Sequence, residues 1–162
     1  MILGIEMIIC CVLFTVLVIM GQKKNPLSGL HNMPVELQEK VSSLPQYKDV
    51  KVVHTKERIL KKVPALLILM ALFIWLIYVS GARNFMQGFR NSFLLWLVIK
   101  LYVVFVLDCE WLAHTPSAWI LHTEDMKEYY QDYGFYMKSI PRSLLAGLIV
   151  SVVVGVVIEG IV

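Results

Sequence analysis

Residues 63–82, VPALLILMALFIWLIYVSGA, form a window of twenty positions without one charged side chain. At about 1.5 Å per residue, a helix of that length reaches across a hydrocarbon core of about 30 Å. Inside lipid every backbone N–H and C=O must be bonded within the protein, and a helix achieves this on its own. Pro64 falls in the first turn, where its missing N–H is tolerated, and Trp75 and Tyr78 fall toward the far end, where aromatic belts form. The segment predicts a membrane-spanning helix and sets the class of the whole chain.

Three more windows repeat the pattern. Residues 2–20 carry a single charge, Glu6, and are closed by Gly21 and the pair Lys23–Lys24. Residues 92–112 are apolar but interrupted by Lys100 near the centre and Asp108 near the end, and residues 142–162 follow Pro141. The 162-residue chain is 58% hydrophobic and 17% charged, where soluble domains are nearer half and a quarter. The expected fold is all-α: one polytopic domain of four transmembrane helices. The N-terminus MILGIEM lacks a basic leader and no small-residue cleavage site follows, so residues 1–20 are expected to stay in the mature protein. Cys10, Cys11 and Cys109 make neither a zinc-type spacing nor a disulfide framework.

The loops then set the orientation. Residues 21–62 hold nine Lys/Arg and are broken by Pro26, Gly29, Pro34 and Pro45. They read as a solvated, basic tether with a short helix after Pro34 and a basic amphipathic piece, VKVVHTKERILKKV, lying along the membrane surface. His31 and His54 are read as surface residues. Residues 113–141 form a second long loop, and the segment from Asp108 to Arg142 adds Lys127, Lys138 and Arg142. With four spans these two loops share a side and carry twelve Lys/Arg, against only Arg83 and Arg90 in the short link RNFMQGFRN. The positive-inside rule places both loops in the cytoplasm of a plasma-membrane protein and both termini outside. The small net charge of +3, concentrated in one loop, argues for orientation and against nucleic acid as a partner.

Two constellations carry chemistry. Lys100, Asp108, Glu6 and Glu159 are ionisable residues within or at the ends of spans, where charge is expensive and marks a pathway or a packing pair. Lys100, Val104 and Asp108 recur at four-residue spacing, with Trp96 four residues earlier. The second constellation is the stretch DCEWLAHTPSAWILHTED, whose Asp108, Glu110, His114, His122, Glu124 and Asp125 supply acid–base groups near neutral pH. Asp108, His114, His122 and Glu124 are the candidate catalytic set. Their spacing matches no established metal or nucleophile motif, so no metal is expected and no cofactor is implied. Thr123 can cap a short helix, and Trp111, Trp119, Tyr129, Tyr130, Tyr133 and Tyr136 can anchor the loop at headgroup level. In the last span Ser143, Gly147, Ser151 and Gly155 form a small-xxx-small ladder for close helix packing, either within the chain or in a homo-oligomer.

The pattern Asp108–x–x–Trp111, Thr123–Glu124–Asp125 and Tyr130–x–Asp132–Tyr133 resembles that of short bacterial four-helix integral membrane proteins. The resemblance covers mainly the second half, and implies the bundle but no activity. Small multidrug-resistance exporters are shorter, with a glutamate deeper in the first helix. Membrane glutathione transferases need an Arg/Asn/Glu pattern that HNMPVELQEKV lacks. The leading expectation is a transport or permease-type component with an internal polar site at Lys100 and Asp108. The alternatives are a membrane-embedded enzyme or lipid- or small-ligand-binding protein at the cytoplasmic interface, and an accessory subunit without a site.

Overall fold

The computed structural model describes residues 2–24, 27, 29, 30, 33–47, 67, 68, 70–120 and 122–162. All of their regular structure is helical, with no strand among the described residues. The order is α1 (Ile2–Lys24), α2 (Val35–Ser43), α3 (Met70–Val79), α4 (Phe85–Tyr102), a π-helix (Val103–Leu112) continuing α4, two short helices α5 (Lys127–Tyr130) and α6 (Tyr133–Met137), and α7 (Ser139–Ile161). Among the described residues three helices are long and apolar enough to cross a bilayer: Leu3–Lys24, Phe85–Leu112 and Ser139–Ile161. The fourth expected span, residues 63–82, is represented by α3; residues 63–66 and 69 lie outside the described residues, as do His31, His54 and the stretch 48–62.

The chain divides into two compact units. Unit 1 comprises Met1–Ile8, Lys51–Val98 and Ser143–Val162. Here α3 stops through a Schellman motif: Ala82 N–H bonds Ile77 O at 3.4 Å, Gly81 N–H bonds Tyr78 O at 3.1 Å, and Gly81 takes φ +96°. Only glycine holds that left-handed position without strain, and Ile77 and Ala82, the two positions whose apolar side chains accompany such a motif, are both fully buried. The next helix starts earlier than the expected residue 92. Asn84 Oδ1 accepts from Gln87 N–H at 3.0 Å while Gln87 Oε1 accepts from Arg83 N–H at 2.8 Å. This reciprocal cap draws FMQGFR into α4, so most of the expected link is helix.

The small residues of α7 face α4 in this unit. Trp96 lies over Gly147 and donates from Nε1 to Ser143 O at 2.9 Å. Phe85 lies over Gly155, and Gly88 approaches Gly155 and Ile158. Phe85, Phe89 and Phe93 stack in a row at centroid separations of 6.1 and 6.2 Å. Ser151 is buried as well, whereas Val152 and Val156 are exposed. The ladder is therefore filled by aromatic side chains and backbone of the same chain.

Unit 2 comprises Ile9–Val50 and Ile99–Arg142. Its core unites Met33, Leu37 and Val41 with Val104, Leu112, Ile120, Tyr130 and Tyr136. The sequence VELQEKV thus buries Leu37 and Val41, four residues apart on one face of α2. That face removes enough apolar surface from water to hold α2 in place, which corrects the reading of this part of the first loop as a solvated tether. The aromatic loop also differs from a row of headgroup anchors. Trp119 stacks on the buried Tyr130 at 5.0 Å and donates from Nε1 to Leu112 O at 2.8 Å. Thr123 donates to Ile120 O at 2.7 Å, so Tyr130 O–H must donate to Thr123 Oγ1 at 2.8 Å while accepting from Ile120 N–H at 3.1 Å. The ring of bonds closes on itself and leaves this buried polar corner satisfied. A helical turn does begin after Thr123, at Glu124–Met126, but the threonine side chain does not cap it.

Candidate functional site

At Val103 the α-helical bonding of α4 gives way to the i→i+5 bonding of a ten-residue π-helix. Such segments are rare, mostly confined to single turns, and frequent at functional sites. The effect here is angular. In an α-helix a separation of eight residues would turn Lys100 and Asp108 about 80° away from each other. A turn of roughly 4.4 residues over the second part cancels that drift and brings the two nearly into line. The buried Val104 lies between them in the row.

Lys100 and Asp108 lie within electrostatic reach of each other but form no salt bridge; among the described residues Lys40 pairs with Asp125 at 3.0 Å, and His114 Nδ1 stands 3.9 Å from Glu110 Oε2. The ammonium of Lys100 instead donates to Ser139 Oγ at 2.8 Å, and Ser139 Oγ in turn donates to Tyr136 O at 2.6 Å. Lys100 is thereby tied to the turn that joins α6 to α7. Asp132 caps the opposite, N-terminal end of α6: its Oδ1 accepts from Phe135 N–H at 2.9 Å. α6 packs against the π-helix and carries Tyr136 into the core.

Tyr136 is the least satisfied group of the cluster. Its hydroxyl is buried and has no hydrogen-bond partner among the described residues. Burial first, and then the nearby Asp108 carboxylate, hold its phenol well above the usual tyrosine range. Immediately before the π-helix, Tyr102 reaches α1: Thr15 Oγ1 donates to Cys11 O at 2.9 Å, so Tyr102 donates to Thr15 at 2.7 Å. Unit 2 thus gathers a cation, a carboxylate and a neutral hydroxyl donor around the π-helix. Such a set can receive a small polar solute, with the hydroxyl and ammonium facing acceptors and the carboxylate facing a donor.

The other expected residues stand elsewhere. His114 is exposed, with Nδ1 3.1 Å from Glu110 O and Nε2 3.5 Å from the Tyr133 hydroxyl. His122 is exposed too, on left-handed backbone at φ +66°. Glu124 opens a short helical turn. Asp125 pairs with Lys40 at 3.0 Å, and that hydrogen bond pulls its carboxyl below the usual range. No three His, Cys, Asp or Glu converge among the described residues. In unit 1, Glu6 is buried with Oε2 lacking a partner among the described residues, Ser151 Oγ likewise, while Glu159 is exposed.

Tyr136 and Ser139 have no distinguishing signal in the sequence. Within YYQDYGFY the buried tyrosines 130 and 136 look like the exposed 133. The break between α5 and α6, which decides among them, rests on Asp132 acting as a cap. Searches against protein-family models, curated proteins and solved structures find no match to the chain.

Proposed function

We propose that this integral membrane protein is a transport or permease-type component that receives a small polar solute or ion at Lys100, Asp108 and Tyr136. The observation that carries the reading is the buried Tyr136 hydroxyl, without a partner among the described residues, beside a lysine and an aspartate aligned on one membrane-length helix. An unpaired buried hydroxyl and intramembrane charges cost stability, and a site that exchanges a ligand explains their retention. The exposed positions of His114 and His122 weigh against an enzyme built on Asp108 and those imidazoles. In this reading residues 63–82 complete a fourth span, both long loops face the cytoplasm, and both termini face outward. A homo-oligomer would use the outward faces of α7, since the Gly147–Gly155 face packs on α4.

The test is accessibility. With Cys10, Cys11 and Cys109 replaced by serine, single cysteines at Lys100, Asp108 and Tyr136 are exposed to a membrane-impermeant thiol reagent in sealed vesicles of each orientation. Labelling of the set from both faces supports a crossing path. Labelling from one face alone replaces transport with a binding pocket, and labelling from neither removes the internal site.

A further inference from the structure

A groove of about 360 Å³ opens in unit 1, lined by Ala71, Ile74, Trp75, Tyr78 and Ile161. Its α3 residues stand at positions i, i+3, i+4 and i+7, which is one face of a helix. The groove therefore runs along α3 for about 10 Å instead of across it. Ile161, at the end of α7, supplies the wall. Tyr78 marks the end next to the α3–α4 link, at the level where aromatic side chains meet lipid headgroups.

Arg83 closes that same end. Its guanidinium lies 4.4 Å from the centre of the Tyr78 ring, and Nη1 donates to Tyr78 O at 2.7 Å and to Ala82 O at 2.8 Å. These bonds fix the cation at the mouth of the groove while leaving Nε and Nη2 without an acceptor among the described residues. No carboxylate among the described residues pairs with it. Glu159 is two residues before Ile161, so it projects from a different face of α7 than the wall residue. A fixed, unneutralised cation at one end of an elongated apolar channel has the polarity of a phospholipid, with a charged head at the surface and a chain running inward.

We infer that this groove is a binding site for an anionic phospholipid, with its phosphate on Arg83 and one acyl chain along Ala71, Ile74, Trp75 and Tyr78. The site belongs to unit 1 and is independent of the polar cluster around the π-helix.

Trp75 is its built-in reporter. The full chain is reconstituted in vesicles of phosphatidylcholine with a minor fraction of phosphatidylglycerol, one or the other carrying brominated chains that quench tryptophan on contact. The Trp75 component is the difference between the wild type and Trp75→Phe. Brominated phosphatidylglycerol should quench this component about fivefold beyond its share of the lipid, the ratio that one interfacial cation supplies. Arg83→Gln should abolish the excess. Because Arg83 also caps α3, Ala71→Phe gives a second arm: it fills the groove, keeps the cation and should also lower the quenching. Quenching in proportion to bulk composition in the wild type would overturn the proposal. So would a Trp75 shielded from both lipids, with position 75 cross-linking to a second copy of the chain.

Discussion

The indole of Trp96 occupies the space that a side chain at Gly147 would need, with its Nε1 2.7 Å from the position of a Cβ there. At Gly155 a Cβ would meet the Phe85 ring at 2.9 Å and the Phe85 carbonyl oxygen, which cannot rotate away, at 3.0 Å. Replacing glycine by alanine in a helix ordinarily gains about 1 kcal/mol. Overpacking costs about 1–3 kcal/mol, so the clash outweighs the gain. Gly147→Ala and Gly155→Ala should each lower the thermal midpoint in detergent, and the leucine variants should lower it further. Val152→Leu and Val156→Leu, on exposed positions, should leave it nearly unchanged. Equal midpoints across all the variants would mean that the ladder does not hold α7 to α4.

Tyr130→Phe should destabilise unit 2. The substitution leaves Ile120 N–H buried without its acceptor and Thr123 Oγ1 without its donor. An unsatisfied buried group costs about 1–3 kcal/mol. Thr123→Val, which also breaks the ring but keeps the phenol for Ile120 N–H, should cost less. Hydrogen exchange at the Ile120 amide reads the loss directly, and unchanged protection in Tyr130→Phe would show that the ring contributes nothing.

The long apolar windows were legible in the sequence because burial in lipid demands an unbroken run, and three of them appear as helices of sufficient length. The small-residue spacing of α7 was visible too, but its partners were not. Trp96 and Phe85 are ordinary apolar residues until the cap at Asn84 sets where α4 begins. The π-helix is invisible in VVFVLDCEWL, because its bonding pattern depends on packing and not on propensity. Without it Lys100 and Asp108 would be offset by about 80° around the helix. The candidate site was therefore half legible: its charges announce themselves by their cost in lipid, whereas Tyr136 depends on a short helix that only Asp132 positions.

Membrane topology separates four spans from three. With residues 63–82 crossing, reporter fusions after Gly21 and after Asp125 should both read cytoplasmic, and one after Val162 external. If only the three long helices cross, the fusions after Asp125 and Val162 exchange sides. The twelve-to-two distribution of Lys/Arg favours the four-span outcome.

Tyr136→Phe should stabilise the resting protein by about 1 kcal/mol, since it removes a buried hydroxyl that bonds to nothing among the described residues. The pH dependence has a definite sign. The folded phenol is raised above its unfolded value, so the folded state favours the neutral form. That contribution is complete below about pH 10, where the unfolded chain's tyrosine is neutral as well, and falls away as pH climbs toward the raised folded value. The wild type should therefore lose stability above about pH 10 more steeply than Tyr136→Phe. An unchanged alkaline limb would place this phenol in water. If the hydroxyl serves a ligand, the more stable variant should also bind or conduct less.

Lys100 and Asp108 should behave as a coupled pair. They share one face of the α4–π-helix, and each charge offsets part of the cost of holding the other within the span. Lys100→Met leaves Asp108 without its cation and Ser139 without its donor. Asp108→Asn leaves the lysine with only a neutral hydroxyl. Removing both takes away the two desolvation costs together, so the double variant should be less damaged than the sum of the singles. A coupling of about 1 kcal/mol is expected for groups that interact without direct contact. Thermal unfolding of the four proteins in one detergent measures the stability coupling. Thiol labelling of Tyr136→Cys in the same four backgrounds, in sealed vesicles, shows whether the pair also shapes access to the site. Strict additivity in both would mean that Lys100 meets the bilayer on its own and that Asp108 belongs to the surface of unit 2.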